Sequence, residues 1–597
     1  MRLGLGPVFQ FEWLTTARNW RVYAMRSVFG LGLLAILTIV AVAEADSRSG
    51  RTTRTIQEQA EIGRGFSIAI IATQLTLMIL IAPATTAATL CLDKARGTLA
   101  HVLTTDLEDF EIILGKLGAK LLPALGLVFS ALGLMAICTL MGGIDPTWLA
   151  GSMLVTLGVT VLGASLALCL SVWAGKTHEV VMASYLLIFA YLIFYPGWYV
   201  MSFMRIGWSR PPEWLQLAHP YWLALDVAPG KVLIHRHAWF ALACLGLSAS
   251  LTLLATRRLR AAALKQMNRP AGARKGRPLR LWRLLPGPSL DGNPILWREW
   301  HRKAPSGWSR LIWLTYSTAS IGATALGIYL IAQPGRSAVA LILINGLQVA
   351  LGLLLLSVSA ATSLAEERVR GSLDVLLATS ISTRSIVWGK WWATFRIVPL
   401  LSILPVTLVV AAIWSEPQSV PPAGWIPSPG WAIHAEWTMW LIPPLILGLI
   451  LAYGAALTSL GLVMATWISR VDRAVIATIS AYVIVALAWP VAMAFLLPHD
   501  EVHGPGLASA SPFVGVAFTG MQVVEHSAPW RVFTYWWAHI GWAAFWIVFY
   551  VAVAGLLLFL ELSRFNRKLG RTPDAGMPVR PAPMFAKPVL ASAIELN

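Results

Sequence analysis

Charged residues are scarce in this sequence. Only 12% of its 597 residues are Asp, Glu, Lys or Arg, and 57% are hydrophobic, whereas soluble domains carry about 25% charged residues. This deficit excludes a soluble globular protein and predicts a chain embedded in a lipid bilayer. Cysteines are also few. All four lie in or beside apolar runs without metal-ligand spacing, so the sequence predicts neither a metal site nor a disulfide framework.

Motifs for catalysis and energy conversion are missing as well. The sequence has no Gly-x-x-x-x-Gly-Lys-Ser/Thr phosphate loop, no His-Glu-x-x-His and no Gly-x-Ser-x-Gly, so we predict no catalytic residue and no bound cofactor. The apolar runs carry no Asp, Glu, Lys or Arg in their interiors, which argues against an ion-coupled carrier or a channel. His539 is the one titratable residue well inside a run, and we interpret it as a hydrogen bond between helices.

Uncharged runs long enough to span a bilayer, about 20 residues, occur twelve times. They lie at 27–43, 65–92, 121–144, 146–175, 180–204, 238–256, 311–335, 337–365, 397–415, 437–469, 474–499 and 532–560. The predicted fold class is therefore an all-α polytopic membrane protein with twelve transmembrane helices, six in each half. The run 27–43 resembles a signal peptide, but we interpret it as the first span because its counterpart, 311–335, is internal.

The net charge of +18 is concentrated between the two halves. The basic connector predicts, by the positive-inside rule, that it and both termini lie in the cytoplasm and that the chain is integral to the plasma (inner) membrane. Segment 44–64 is a partial exception, since it would lie outside and yet carries four arginines. We interpret the connector's charge as attraction to membrane lipid headgroups and not as a nucleic-acid site.

The two halves carry the same charged segment in the same register. Asp-Lys-x-Arg-Gly-Thr-Leu begins at Asp93, and Glu-Arg-x-Arg-Gly-Ser-Leu follows at Glu367, 274 residues later. The organisation predicted from this repeat is a first permease-like unit at 1–256, a linker at 257–290, a second unit at 291–561 and a tail at 562–597. Because each unit has six spans, both would enter the membrane in the same direction.

The repeated segment predicts helices at the cytoplasmic face. Leu99, Val102 and Leu103 fall on one side of a helix, and Thr105 or Asp106 could cap a second short helix. The second copy has the same plan, with a cap at Ser382 or Thr383. We therefore expect two short amphipathic helices in each half, preceded by an interfacial helix at Glu12-Trp13 and at Glu299-Trp300.

The repeated segments, the Glu-Trp segments before them and the turns at His219-Pro220 and Ser511-Pro512 resemble ABC-2 type transporter permeases, here as two units in tandem. The resemblance implies two cytoplasmic ABC ATPase subunits as partners, with ATP and Mg²⁺ bound by those subunits. The residues that it assigns to ATPase coupling are Asp93, Lys94, Arg96, Gly97, Thr98, Leu99, Leu103, Gly115 and Lys116, and in the second copy Glu367, Arg368, Arg370, Gly371, Ser372, Leu373, Leu377, Gly389 and Lys390. Asp93 stands where the family more typically has Glu, and His101 where it more typically has an apolar residue, so the first copy is expected to dock differently from the second.

The resemblance implies an exporter that moves an unidentified amphipathic or hydrophobic substrate outward. A permease-derived complex that does mechanical or signalling work is the open alternative, and a secondary carrier or channel is a third. Gln74 and Gln348 stand 274 residues apart in the second run of each half. If these runs face each other, as they do in the family, the two glutamines would line the outer part of the translocation path. The competing interpretation is a hydrogen bond to a neighbouring helix.

Overall fold

A computed structural model describes most of the chain. The described residues are 6–17, 56–140, 145–203, 209–226, 234–267, 288–301, 307–332, 337–415, 439–490, 503–525 and 536–569, except 291 and 370 and with a few isolated positions elsewhere. Most of the first predicted span, 27–43, lies outside this set. So do Arg370, the centre of the linker and the end of the tail.

The described part of the first half consists of α-helices. They are α1 (Gly6–Ala17), α2 (Ile56–Arg96), α3 (Thr98–Leu103), α4 (Asp109–Ser130), α5 (Leu132–Leu140), α6 (Pro146–Trp173), α7 (Thr177–Phe203), α8 (Glu213–Leu217), α9 (Pro220–Leu225) and α10 (Ile234–Met267). Capping side chains start several of them. Asp145 accepts a 2.8 Å hydrogen bond from the Thr147 N–H at the start of α6, where Pro146 occupies the first helical position.

The second half has a similar order of helices. They are α11 (Pro294–His301), α12 (Gly307–Ile331), α13 (Ser337–Val369), α14 (Ser372–Leu377), α15 (Thr383–Phe395), α16 (Val398–Ser415), α17 (Ile442–Trp467), α18 (Val471–Val483), α19 (His503–Ala508), α20 (Pro512–Glu525) and α21 (Trp536–Leu569). A π-helical turn, Ile484–Ala488, continues α18. The described residues contain no strand, which confirms the predicted all-α class.

Eleven helices of the described chain are long and apolar enough to cross a membrane. Each corresponds to one of the predicted runs from 65–92 to 532–560. The remaining predicted span, 27–43, has no such helix among the described residues. The third span of each half begins earlier than predicted, at Asp109 and at Thr383, and therefore includes Lys116 and Lys390.

The prediction of two short helices after each second span was wrong in the first half, where the short helix α3 is followed by α4, which continues as the third span. In the second half two helices, α14 and α15, precede α16, although only Arg396 and Ile397 separate α15 from α16 and the two together form the third span. Helix α4 continues without interruption to Ser130, although Pro123 lies inside it. The Thr105 or Asp106 cap was also wrong, because Glu108 precedes α4 and makes no side-chain cap bond. The Ser382 cap is confirmed by a 3.2 Å bond from the Ser385 N–H.

The halves pack together through their second and fifth spans. Helix α18 lies against α2, and α7 lies against α13. Tyr185 and Tyr482 stand in the two fifth spans, and each hydroxyl donates 2.7 Å to a backbone carbonyl of the second span of its own half. One large buried cluster of apolar side chains runs across this interface and through the second half, while two smaller clusters fill the first half.

Candidate coupling site at one end of the bundle

A left-handed glycine redirects the chain after each second span. Gly97 has φ 77° and Gly371 has φ 70°, a region that side chains other than glycine rarely adopt. These turns set off the two short helices, α3 and α14, which we call the motif helices. The end of the bundle where they lie is the motif end, and the opposite end is the far end.

Each motif helix buries one side and leaves the other exposed. Leu99 and Leu373 are 4% and 1% exposed, while Leu103 and Leu377 are half-buried. The outward residues differ between the copies. Arg96, Gly97, Thr98 and His101 are exposed around α3, whereas Asp374 and Val375 are exposed on α14. The exposed surfaces of the two motif helices therefore differ in charge and polarity.

A buried lysine joins three segments in the first half. Lys116 Nζ lies 3.0 Å from Glu12 Oε1 in α1 and 2.5 Å from Asp93 Oδ2 at the end of α2. Lys120 Nζ is 3.9 Å from the other oxygen of Glu12. The ion pairs attach the N-terminal helix α1 to the junction of the second and third spans.

The second half repeats this arrangement. Lys390 Nζ lies 2.7 Å from Glu299 Oε1 in α11 and 2.7 Å from Glu367 Oε1 at the end of α13. The lysine side chain is only 3% exposed. Such a desolvated charge is stable only while its partners remain in place, so Lys116 and Lys390 hold the motif end together from within. We call these two clusters the lysine clusters.

Lys94 and Arg368, which directly follow Asp93 and Glu367 in the sequence, bind the end of the fourth span. Lys94 Nζ donates to the carbonyl oxygens of Ser171 and Val172 at 2.8 and 2.6 Å. Arg368 donates to Thr466 and Ile468 at 3.0 and 3.2 Å. These carbonyls are the ones left unpaired at a helix C-terminus, where a cation is favourable. Each motif is thereby bound to the fourth span of its own half.

Small and hydroxyl residues of the motif complete the packing. Thr98 and Ser372 donate to the backbone oxygens of Asp93 and Glu367 at 3.4 and 3.3 Å. Gly389 lets α15 pack close to the start of α11, since an added Cβ would be only 3.0 Å from Ile295 Cβ. Gly115 is buried beside Lys116.

The motif end also carries a contact between the halves. His178 Nδ1, at the start of α7, lies 2.7 Å from Glu366 Oε1 at the end of α13. The positions that correspond on the other side of the interface are Leu92 and Asp472, so this pair occurs on one side only. Asp472 is paired with Arg470 instead.

Gln74 and Gln348 are buried, and both make contacts within their own half. Gln74 Nε2 donates 3.2 Å to the Val128 carbonyl, and Gln348 Nε2 lies 3.3 Å from Thr324 Oγ1. These are bonds to neighbouring helices. Their role in a translocation path stays a prediction.

Sequence reasoning placed the motif lysines at a docking surface and missed their partners, Glu12 and Glu299. The signal was available, because each Glu-Trp pair recurs in the two halves. The sequence alone could not show that Glu12 lies beside Lys116 or Glu299 beside Lys390, because about a hundred positions separate the members of each pair. Among the residues that the structure describes, no group of three His, Cys, Asp or Glu side chains could hold a metal ion.

These observations define a multi-pass helical membrane protein with two similarly built motif sites. The model of the ABC-2 family transporter protein family matches residues 266–568, so the chain belongs to the ABC-2 transporter family. It is a transmembrane permease component of an ABC system, in a family whose members work with ABC ATPase partners. A search of the curated proteins found no match.

Proposed function

We propose that this chain is the permease of an ATP-driven exporter, served by two separate ATPase subunits that bind the motif helices α3 and α14. The observation that carries the proposal is the attachment of the segment just before each motif helix, at the end of the second span, to several membrane helices at once. The motif contacts the third span and the N-terminal helix through its lysine cluster and the fourth span through Lys94 or Arg368. A force applied to the motif helix would therefore reach the whole half. ATP and Mg²⁺ belong to the partner subunits.

The interface between the halves supports an amphipathic or hydrophobic substrate. A narrow cleft, too tight in this structure to admit water, lies between α2, α7 and α18. Its lining is apolar except for a serine and a tyrosine, with Leu77, Ile81, Tyr185, Ile476 and Ser480 among its residues. Opening of the halves along this cleft would create a path without charge.

Copurification tests the proposal. The tagged chain should bring down a phosphate-loop ATPase in two copies from its native membrane, and lipid and metabolite mass spectrometry should identify the cargo. In inverted vesicles, ATP should drive that cargo into the lumen. Recovery of the chain without any phosphate-loop protein would contradict the ATPase role, and ATP hydrolysis without movement of cargo would favour mechanical or signalling work.

The orientation is tested by cysteine labelling of intact cells. We propose that both termini and the motif helices face the cytoplasm of a cell whose inner membrane holds the chain. A membrane-impermeant thiol reagent should then label cysteines placed in 44–64, 415–435 or 500–525 and spare those in 92–117, 257–307 or 365–392. External labelling of 257–307 would overturn the arrangement.

A further inference from the structure

A buried carboxyl group lies beside the second motif site, and the attachments described above do not use it. Glu561 stands near the C-terminal end of α21, the sixth span of the second half, and is only 2% exposed. Its Oε2 lies 2.8 Å from the hydroxyl oxygen of Thr466, at the end of the fourth span. Among the described residues, no Lys, Arg or His nitrogen lies within 4.0 Å of this carboxyl group. A buried carboxylate without a paired cation is unfavourable, so the group requires another form of compensation.

The number of hydrogens available around Thr466 indicates what this compensation is. Its Oγ1 lies 2.8 Å from Glu561 Oε2 and 2.9 Å from the Val463 carbonyl oxygen. If Glu561 is ionised, both neighbours are acceptors, yet a hydroxyl group has only one hydrogen to donate. If Glu561 is protonated, it donates to Thr466, and Thr466 donates to Val463, so both contacts are hydrogen bonds at once. The geometry therefore fits a neutral carboxylic acid at Glu561.

Arg368 is the described residue whose charge acts on Glu561. Its guanidinium donates to the Thr466 carbonyl at 3.0 Å and to the Ile468 carbonyl at 3.2 Å. Arg368 and Glu561 thus contact the same residue, one at its carbonyl and the other at its hydroxyl, without pairing with each other. A change of side-chain rotamer would bring the guanidinium to the carboxyl group.

The other charged or titratable side chains on the helices around Glu561 are paired, exposed or distant. Helix α17 has none. The others are Glu366 with His178, Glu367 with Lys390, Arg564 over the Trp467 ring, Asp374, Arg384, Arg567 and Lys568 at the surface, and His503 against Trp542 at the other end of α21. Among the described residues, Arg368 is therefore the cation best placed to neutralise an ionised Glu561.

The first half has the same layout without the carboxyl group. Its sixth span, α10, has 34 residues, as α21 has, and Leu259 corresponds to Glu561. Val172 corresponds to Thr466, and Leu259 and Val172 lie in one buried apolar cluster. Helix α10 contains no Asp or Glu. The attachment of Lys94 to the fourth span therefore has no carboxyl group of the sixth span beside it.

We propose that Glu561 is a proton-binding site that controls how the second motif is attached to the bundle. While Glu561 is neutral, Arg368 stays on the two carbonyls of the fourth span. When Glu561 releases its proton to water at higher pH, the buried carboxylate requires a counter-ion, and Arg368 leaves the carbonyls to pair with it. The second motif is then bound to the sixth span and loosened from the fourth. The first motif keeps its attachment through Lys94, so only one of the two motif sites responds to pH.

Infrared difference spectroscopy of the full chain in phosphatidylcholine nanodiscs tests the proton. Ordinary carboxyl groups are already ionised between about pH 5 and pH 9, so a neutral carboxylic acid that ionises in this range stands out. Its carbonyl stretch should be present at the lower pH and lost at the higher one. Glu561→Gln should remove this signal from the difference spectrum. A spectrum without the signal, or one that Glu561→Gln leaves unchanged, would overturn the proposal.

Spin labels test the change of attachment in the same nanodiscs. One pair is placed at Val375 on α14 and at Ser469 just after the fourth span, both exposed, through a ketone-bearing residue that leaves the native cysteines in place. The distance between the labels, measured by double electron–electron resonance, should shift to a second population as the pH rises. The matched pair, at the corresponding exposed positions His101 and Gly175 of the first half, should not shift.

Two variants connect the shift to the carboxyl group. Glu561→Gln keeps a neutral polar side chain, and Glu561→Leu introduces the apolar residue that the first half has at this place. Both should hold the second-half pair at its low-pH distance throughout. Equal shifts in the two pairs, no shift in either pair, or a shift that persists in the variants would overturn the proposal.

Discussion

Lys390 shows how a single charge can hold a membrane protein together. It stands inside the third span of the second half and is almost fully buried, yet it is compensated by Glu299 and Glu367. The pairs supply little net stability over an apolar core, but removing one member leaves the others uncompensated. Substituting Lys390 should therefore reduce the stability of the chain by more than the small net contribution of the ion pairs.

We expect Lys390→Met to destabilise the chain by about 3–5 kcal/mol, because two buried carboxylates lose their counter-ion. Thermal unfolding in detergent, followed by the loss of monodisperse protein, measures this. The matched variant adds Glu299→Gln and Glu367→Gln to Lys390→Met and should recover much of the loss. A Lys390→Met protein as stable as the wild type would show that the cluster is not compensated as described.

His219 gives a residue-scale prediction about pH. Its Nδ1 accepts from the Trp222 N–H at 3.2 Å and its Nε2 donates to the Leu192 carbonyl at 3.0 Å, so the neutral ring is required. Burial lowers the pKa of His219 from its ordinary 6.5. Since the unfolded chain then binds the proton more readily, this residue's stabilisation is present above pH 6.5 and is lost as the pH falls towards the folded pKa.

Ser511 suggests the control, since it occupies the corresponding place in the second half. Its hydroxyl donates 2.6 Å to the Ala486 carbonyl and accepts from the Val514 N–H. His219→Ser should therefore unfold with a flatter dependence on pH between 7 and 5 than the wild type, whatever its absolute stability. Equal slopes in thermal unfolding at several pH values would contradict this role.

At the scale of the element, the junction between the second span and the motif helix is the vulnerable point. Nothing lies within 4 Å of a Cβ added at Gly371, so space is available and only the backbone angle restricts the residue. We expect Gly371→Asn to be tolerated, Gly371→Ala to cost about 1 kcal/mol, and Gly371→Pro to disrupt the junction, because proline cannot adopt this φ.

The measurement for this series is ATPase stimulation and copurification with the partner. If α14 couples the partner to the membrane, stimulation should fall in the order Asn, Ala, Pro while all three variants still insert. Gly97 provides the same series on α3. Wild-type stimulation by a correctly inserted Gly371→Pro would exclude α14 as the coupling element.

Much of the element layout was predictable from apolar runs. The uncharged runs predicted third spans that begin at 121 and 397, because Lys120 and Arg396 interrupt the uncharged stretch. The structure begins them at Asp109 and Thr383, since Lys116 and Lys390 are neutralised by partners that no local pattern reveals. In the first half the expected second short helix is the beginning of α4, which passes Pro123 and continues as the span.

At the scale of the whole molecule, the halves should stay together without a covalent connection. Their second and fifth spans pack on each other, and His178 pairs with Glu366. We expect a chain cut at a protease site inserted within the linker 268–287 to elute as one particle in mild detergent. Separation of the two fragments on size-exclusion chromatography would contradict this packing. Glu366→Ala should weaken the association only slightly, because one pair contributes little beside a large apolar interface.

The lysine clusters also have a consequence for synthesis. In each cluster the two acidic residues precede the lysine in the chain: Glu12 and Asp93 come before Lys116, and Glu299 and Glu367 come before Lys390. Because a polypeptide emerges from its N-terminus, both carboxylates are already in place when the ribosome delivers the lysine. A lysine in the third span is unfavourable in the bilayer unless its charge is neutralised. We therefore expect the two carboxylates, which are synthesised first, to be available to pair with it when the third span inserts.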